Sequence, residues 1–263
     1  MNGFFLVNKE KNYTSNDVVQ KLKKKFAFKK VGHLGTLDPI AEGLIILAVN
    51  RATKFSNYFL ESDKSYFVEI KLGISTDTHD TTGQIVAKAP VKVTEKALKN
   101  EINNFLGTSL QKPPYFSALK HKGRPLYEYA RKGEFINKEP RQIEIKEIKN
   151  ITYKNEICSF EITCSKGTYI RSIARDLGEN LGCGANMISL KRLKQHNFDL
   201  KNARTLENIK KNEMIKIEEA FLYLEKILLN DRESNLFQNG QEIIAQNNLK
   251  GFYRIYKNVN EFM

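Results

Sequence analysis

The chain is poor in cysteine, and its three, Cys158, Cys164 and Cys183, include no CxxC pair. An odd count without metal-ligand spacing argues against a disulfide framework or a zinc site and predicts reduced thiols in a cytoplasmic protein. Long apolar runs are missing too: the longest, Leu44–Val49, is far too short to cross a bilayer. No basic stretch followed by a long apolar one opens the chain, so no signal peptide is expected. The nucleotide loop GxxxxGKS/T, the dinucleotide fingerprint GxGxxG, the HExxH zinc motif and the GxSxG elbow are all absent. His33, His79, His121 and His196 pair with neither the cysteines nor one another at metal-ligand spacing. Chemistry without metal or organic cofactor is the expectation.

Acidic residues are the other shortage. Thirty Asp and Glu face 43 Lys and Arg, a formal charge of +13. The excess is regional. Residues 1–30 carry eight Lys against Glu10 and Asp17, residues 112–150 ten basic against five acidic, and residues 191–211 seven against two. These segments hold +6, +5 and +5, and the rest of the chain is at −3. In the second segment Tyr115, Phe116, Tyr127, Tyr129 and Phe135 interleave with the charge. Phosphates meet Lys and Arg, and unstacked bases meet aromatic faces, so the mix points to RNA. An anionic membrane would call for a continuous apolar helix face, which a segment broken by Pro113, Pro114, Gly123, Pro125 and Gly133 does not offer. A solvated Lys-rich surface is the plainer reading of the same charge.

Hydrophobic periodicity predicts runs of strands broken by a few helices, hence an α+β fold with a central mixed, mainly antiparallel sheet flanked by helices. Phe4–Val7, Leu44–Val49, Tyr66–Gly73, Gln84–Lys88, Ile143–Ile148, Asn150–Tyr153, Ile157–Cys164 and Met187–Leu193 read as strands. Alternation in Tyr66–Gly73 sets Tyr66 on the inward face with Val68, Ile70 and Leu72. A helix is predicted from Thr14 or Ser15 to about Phe26, with Thr14 and Asp17 as a capping box. Others are predicted over Ala52–Glu61, Thr94–Phe105 and Thr168–Leu181, the last stopped by Gly182. Helical patterns also run over Leu206–Lys210 and Ile215–Leu229, and the tail from 231 reads as strand-like with a turn at Asn239-Gly240. Val31–Ile40 reads as a glycine-punctuated loop, and residues 107–140 as a long excursion.

Two stretches could carry chemistry. Gly32-His33-Leu34-Gly35-Thr36-Leu37-Asp38-Pro39 is a loop with one carboxylate, pinned by the proline behind it; a plain Asp-Pro turn explains the same residues. Cys164-Ser165-Lys166-Gly167-Thr168-Tyr169-Ile170-Arg171 joins a strand to a helix start, where Lys166 and free backbone N–H groups make a phosphate site. A capped helix with a solvent-facing Arg171 is the alternative.

In order along the chain, these stretches resemble the TruB family, the bacterial tRNA pseudouridine-55 synthases. GHLGTLDP, residues 32–39, matches its HxGxLDP signature. Asn8-Lys9 with Thr14-Ser15-Asn16 resembles its amino-terminal motif, although Glu10 stands where the family has proline. Asp63-Lys64-Ser65-Tyr66 resembles its tyrosine motif, and Thr76-Asp77-Thr78-His79-Asp80 precedes Gly83 as in the family. Tyr115–Lys120 and Leu126–Arg131 resemble its thumb insertion, and CSKGTYIRSIARDLG and Leu190-Lys191-Arg192-Leu193 complete a match over roughly residues 4–195.

The resemblance implies a pseudouridine synthase catalytic domain over residues 1–230, a thumb insertion at about 112–140 and a truncated PUA-like segment over 231–263, with Leu236–Ile244 similar to a PUA core. It implies isomerisation of uridine to pseudouridine at position 55 in the T-loop of tRNA, on a base flipped out of its stack. Asp38 would be the obligatory carboxylate, acting at C1′ or at C6, with Arg171 as its salt-bridge partner. Tyr66 would stack on the target base and is a candidate general base; Leu190 would pack beside it. Substrate contacts would fall to Lys9, His33, Asp80, Lys120, Tyr127, Arg131, Lys166 and Tyr169. The implied partner is the tRNA T-stem-loop, with no guide RNA and no membrane, and the protein is expected to be a monomer. A non-enzymatic RNA-binding or tRNA-folding module on the same fold is the alternative; loss of the aspartate would mark it, and Asp38 is present.

Overall fold

The computed structural model describes residues 1–243, 251–257 and 261–263. Strand β1 (Gly3–Lys9) is apolar on both faces because both are covered: Phe4 and Leu6 enter one core, Phe5 and Val7 the other. Helix α1 (Ser15–Phe26) starts as expected. Asp17 N donates to the Thr14 hydroxyl at 3.1 Å and Thr14 N donates to the Asp17 carboxylate at 2.8 Å, so two donors that a helix start leaves free are satisfied. Val18, Val19 and Leu22 bury its inner stripe.

Strands β2 (Val31–His33) and β3 (Glu42–Val49) pair antiparallel, Val31 opposite Val49. The expected 31–40 loop therefore opens with a strand, and the loop itself begins only after His33. A 3-10 turn over Asn50–Phe55 leads into α2 (Ser56–Leu60), in place of one helix from 52 to 61. The Thr53 and Ser56 hydroxyls donate to Asn50 O at 2.8 Å and Thr53 O at 2.6 Å, and such side-chain bonds compete with the α-helical ladder. Strand β4 (Lys64–Leu72) alternates as predicted, with Tyr66, Val68, Ile70 and Leu72 buried. The hairpin of β5 (Ile74–Thr76) and β6 (Ile85–Lys88) encloses the Asp80 turn, and Thr94 caps α3 (Glu95–Asn103).

The long excursion is anchored in the main sheet at its base. It runs through β7 (Gly107–Gln111), the small hairpin β8 (Lys120–His121) and β9 (Arg124–Pro125), then α4 (Leu126–Ala130). It returns along β10 (Arg141–Lys154), which pairs with β7. Two strands were expected in β10. There is one, irregular between Lys149 and Thr152, where Asn150 takes a φ of 56°. Strand β11 (Ile157–Cys164), helix α5 (Ile170–Asn180), strand β12 (Ala185–Gln195) and the short β13 (Phe198–Asp199) complete this part of the chain.

The ten-stranded sheet runs β14-β1-β3-β12-β4-β11-β10-β7, with β2 on β3, β13 on β12, and β14 (Ile215–Lys216) at its edge. Its pairs are antiparallel except β3–β12. The sheet is thus mixed and mainly antiparallel, as expected.

The helical reading of 206–229 is corrected. Ile215 is drawn into a ladder opposite Phe4, α6 is only Ile217–Ala220, and β15 (Lys226–Leu229) pairs with β16 (Arg254–Lys257). Long-range ladder partners override the local period here. The strand-like reading of the tail is corrected over α7 (Asp231–Gln238), which Asn230 and Glu233 start with a capping box. Gly240, at a φ of 71°, supplies the turn expected there. Strand β17 (Glu261–Phe262) completes a second sheet, β15-β16-β17, whose first strand precedes residue 231. The PUA-core reading of 236–244 runs partly outside the described residues. All three cysteines are buried and free. Among the described residues, no helix is long and apolar enough to cross a membrane.

Candidate active site

The loop after β2 is held by its own carbonyls. Leu34 N donates back to Ile46 O at 2.9 Å, and Leu34 and Leu37 are buried as anchors. The Ser15 hydroxyl at the start of α1 accepts from Leu37 N at 2.8 Å and donates to Leu37 O at 3.0 Å. Ala41 N donates to Asp38 O at 3.0 Å, and Asn12 N to Pro39 O at 2.8 Å. This scaffold leaves the Asp38 side chain 35% exposed.

The cation behind Asp38 comes from α5. No side chain of its own caps that helix. Gln111 of β7 reaches across instead, accepting from Tyr169 N at 2.8 Å and donating to Tyr169 O at 3.1 Å. Arg171, in the first turn, is buried. Its Nε lies 2.9 Å from Asp38 Oδ2 and 3.7 Å from Asp80 Oδ2. Nη1 donates to Thr78 O at 3.2 Å and Nη2 to Phe116 O at 2.9 Å. One guanidinium therefore ties together the carboxylate loop, the Asp80 turn and the excursion, and the solvent-facing reading of Arg171 is excluded. Asp80, with only 4% of its side chain exposed, accepts from the Thr78 hydroxyl at 2.8 Å and from Thr82 N at 2.9 Å. A buried carboxylate is tolerable only with such donors and a counter-charge.

Tyr66 and Leu190 are buried in one core cluster. In the β4–β12 ladder Tyr66 lies opposite Arg192 and Val68 opposite Leu190, so both side chains leave the same face of the sheet. Burial pushes the Tyr66 phenol up to about 12, which keeps it neutral near pH 7. His33 is half-buried. Burial holds its imidazole below the usual range, and its Nδ1 has no partner among the described residues.

The remaining expected contacts scatter. Lys9 is buried, not offered to a ligand: its ammonium donates to Tyr13 O at 2.7 Å, Glu10 O at 3.0 Å and Pro39 O at 3.5 Å. Burial pushes it down to about 8. Lys166 is exposed and paired with Glu61. Tyr169 lies under Arg141, whose guanidinium carbon is 4.8 Å from its ring. Lys120, Tyr127 and Arg131 stand on the exposed excursion, Arg131 over the Tyr127 ring at 5.4 Å. The structure thus brings Asp38, Arg171 and Asp80 into one ion network and buries Tyr66 and Leu190 in one core cluster. His79, for which no role was expected, lines a neighbouring cavity of about 430 Å³ with Lys112, Tyr115 and Arg175; burial pushes it down to about 4.

Arg192 and Gln195 were missed, although both bond the loop before Asp38. The available signal was an arginine two residues beyond Leu190, on the inward side of its strand.

The family model described as TruB family pseudouridylate synthase (N terminal domain) matches residues 23–170. The chain belongs to the TruB family. A second model, the tRNA pseudouridylate synthase B C-terminal domain, matches residues 171–232, so the boundary falls inside α5, and Asp38 and Arg171 come from opposite sides of it. Curated TruB relatives are similar over most of their length. The tRNA pseudouridine synthase B of Actinobacillus pleuropneumoniae is 39% identical, over 100% of this chain and 90% of that one. That of Blochmanniella floridana is 46% identical, over 80% of this chain and 83% of its own. Among solved structures, a Cbf5-Nop10-Gar1 complex overlays with a TM-score of 0.73 at 23% identity, over 99% of this chain and 76% of that one. An H/ACA RNP bound to a substrate RNA containing 2'-deoxyuridine overlays at 0.72 with 21% identity, over the same shares of the two chains. Those likenesses concern the fold.

Proposed function

We propose that this TruB-family protein isomerises uridine to pseudouridine at position 55 in the T-loop of tRNA. The observation that carries the reading is the Asp38–Arg171 ion pair, 2.9 Å long, which joins the loop after β2 to the first turn of α5. The reaction breaks the bond between N1 of the base and C1′, turns the detached base, and rejoins it through C5. One C–N bond is lost and one C–C bond gained, the C5 proton leaves, the freed N1 takes up a proton, and there is no net redox change. The Asp38 carboxylate serves as the nucleophile or proton acceptor, and the Arg171 guanidinium holds it in place at 2.9 Å.

The target uridine is stacked inside a folded loop and has to be flipped out, at a cost of a few kcal/mol. Tyr66 offsets part of this as a neutral phenol stacked on the base, with Leu190 beside it. The excursion 112–140 is the proposed thumb. Its base is tied to α5 through Phe116 O on Arg171 and Lys112 O on Ser172, so thumb placement and the ion pair are mechanically linked. Lys120, Tyr127, Arg131 and Lys166 supply exposed charge and stacking for RNA, and His33 borders the base. Lys9 supports the loop from behind. The segment 231–263 keeps its proposed reading as a truncated PUA-like piece, and the proposed protein works as a cytoplasmic monomer without guide RNA.

The test incubates a T-stem-loop RNA with wild type and with Asp38→Asn and maps pseudouridine chemically. Modification by wild type, none by Asp38→Asn, and retained RNA binding by the mutant are expected. An inactive wild type sinks the reading, and an active Asp38→Asn sinks the role of Asp38.

A further inference from the structure

Arg192 is fully buried beneath the site. Its Nη2 donates to Thr36 O at 2.8 Å and Gly35 O at 3.3 Å; its Nη1 donates to Gln195 Oε1 at 2.7 Å and Gly35 O at 3.4 Å. Gln195, also buried, donates to Leu34 O and, at 3.0 Å, to Phe59 O. Together with Ser15, Ala41 and Asn12 further on, these two side chains give every carbonyl from Leu34 to Pro39 a donor.

No acid forms an ion pair with Arg192 among the described residues, and its buried Nε has no partner there. Its guanidinium carbon lies 5.8 Å from the Tyr66 ring centre. Gly35 makes room for the fork: it sits at a φ of 143°, and a Cβ there would meet Arg192 Nη1 at 2.9 Å.

A buried cation without an ionic partner costs the fold more than an apolar residue of similar volume would. What the fold gains is geometry. A rigid planar fork spans two successive carbonyls and an amide at once, which a single ammonium cannot do. We propose that Arg192 is a positioning residue for the isomerisation: it fixes the Gly35–Thr36 backbone so that Asp38, two residues on, meets Arg171 and the target nucleotide in reacting geometry. Arg192 touches no substrate. Its effect belongs to the chemical step and not to RNA binding. The proposal rests on the pseudouridine reading.

The test measures single-turnover pseudouridine formation and T-stem-loop affinity for Arg192→Lys and Arg192→Met, both normalised to folded protein. Displacing the carboxylate by about an ångström is expected to slow the chemical step by about 100-fold. Affinity should be unchanged, and lysine should rescue no better than methionine. Wild-type rates in both variants would reduce Arg192 to a packing role and overturn the proposal. Affinity lost in step with rate, or full rescue by lysine, would overturn it too. Gln195→Met leaves the arginine in place and removes its amide partner, so it tests the same bracket if the Arg192 variants do not fold. A slowed rate at unchanged affinity supports the proposal, and a wild-type rate overturns it. An inactive wild type defeats the pseudouridine reading itself, whereas an active wild type with unslowed variants defeats only the role given to Arg192.

Discussion

Arg171→Met separates the ion network's parts by how each can respond. Methionine keeps the apolar stem and removes the guanidinium. It strips Asp38 of a partner at 2.9 Å, Asp80 of one at 3.7 Å, and the Thr78 and Phe116 carbonyls of donors at 3.2 and 2.9 Å. Asp38, at 35% exposure, rehydrates. Asp80, at 4%, cannot, and keeps only the donors of Thr78 and Thr82. Removing one partner from a buried pair costs about 3–5 kcal/mol, most of it from the charge left behind. At about 2–4 °C per kcal/mol for a chain of this size, the melting temperature should fall by about 6–20 °C. If stranded charge is the cause, Asp80→Asn should restore about 1–3 kcal/mol in the Arg171→Met background, because a neutral amide needs no counter-ion. In wild type the same change should destabilise. Calorimetric melts of the four proteins close this cycle. A drop below about 2 °C for Arg171→Met, or equal harm from Asp80→Asn in both backgrounds, would refute the reasoning.

Lys9, pushed down to about 8 by burial, releases its proton in the folded state while the unfolded chain holds it up to its ordinary value near 10.5. Between those values the unfolded state binds more protons, so stability gains from rising pH, and melts from pH 8 to 10 should show a flatter slope in Lys9→Met than in wild type. Burial holds the Cys158 and Cys164 thiols at about 12, so iodoacetamide at pH 8 should label neither in the native protein and both after denaturation; rapid native labelling by mass spectrometry would contradict their burial. Gly35→Ala places a Cβ against Arg192 at a strained φ, and should cost about 1–3 kcal/mol in denaturant melts together with most of the activity. Affinity for tRNA should fall steeply with ionic strength if the basic segments meet phosphates, and a flat salt dependence would speak against them.

Features set by near neighbours were legible in the sequence. The Thr14–Asp17 cap and the inward face of β4 are decided within a few residues, and both stand as expected. Features set by distant partners were not. Val31–His33 is a strand because Val49 lies opposite, and Ile215 is one because Phe4 does. Lys9 illustrates a third case: lysine is ordinarily a surface residue, and only the folded loop reveals three carbonyls gathered around its ammonium. The pairing of Asp38 with Arg171 came from motif order, since no local pattern joins a loop at 38 to a helix at 171.

The bond between Arg192 and Gly35 spans 157 residues. At about 5–20 residues per second, the ribosome releases the signature loop roughly 8–30 s before the strand that grips it. Through that interval β3, buried from Gly43 to Val49 in the finished protein, has β1 along one edge and β2 on the other at Leu47–Val49, and lacks β12 opposite Glu42 and Gly43. The start of that edge is then open to pairing with other chains. The nascent protein therefore carries its whole aspartate motif well before it can hold that aspartate still.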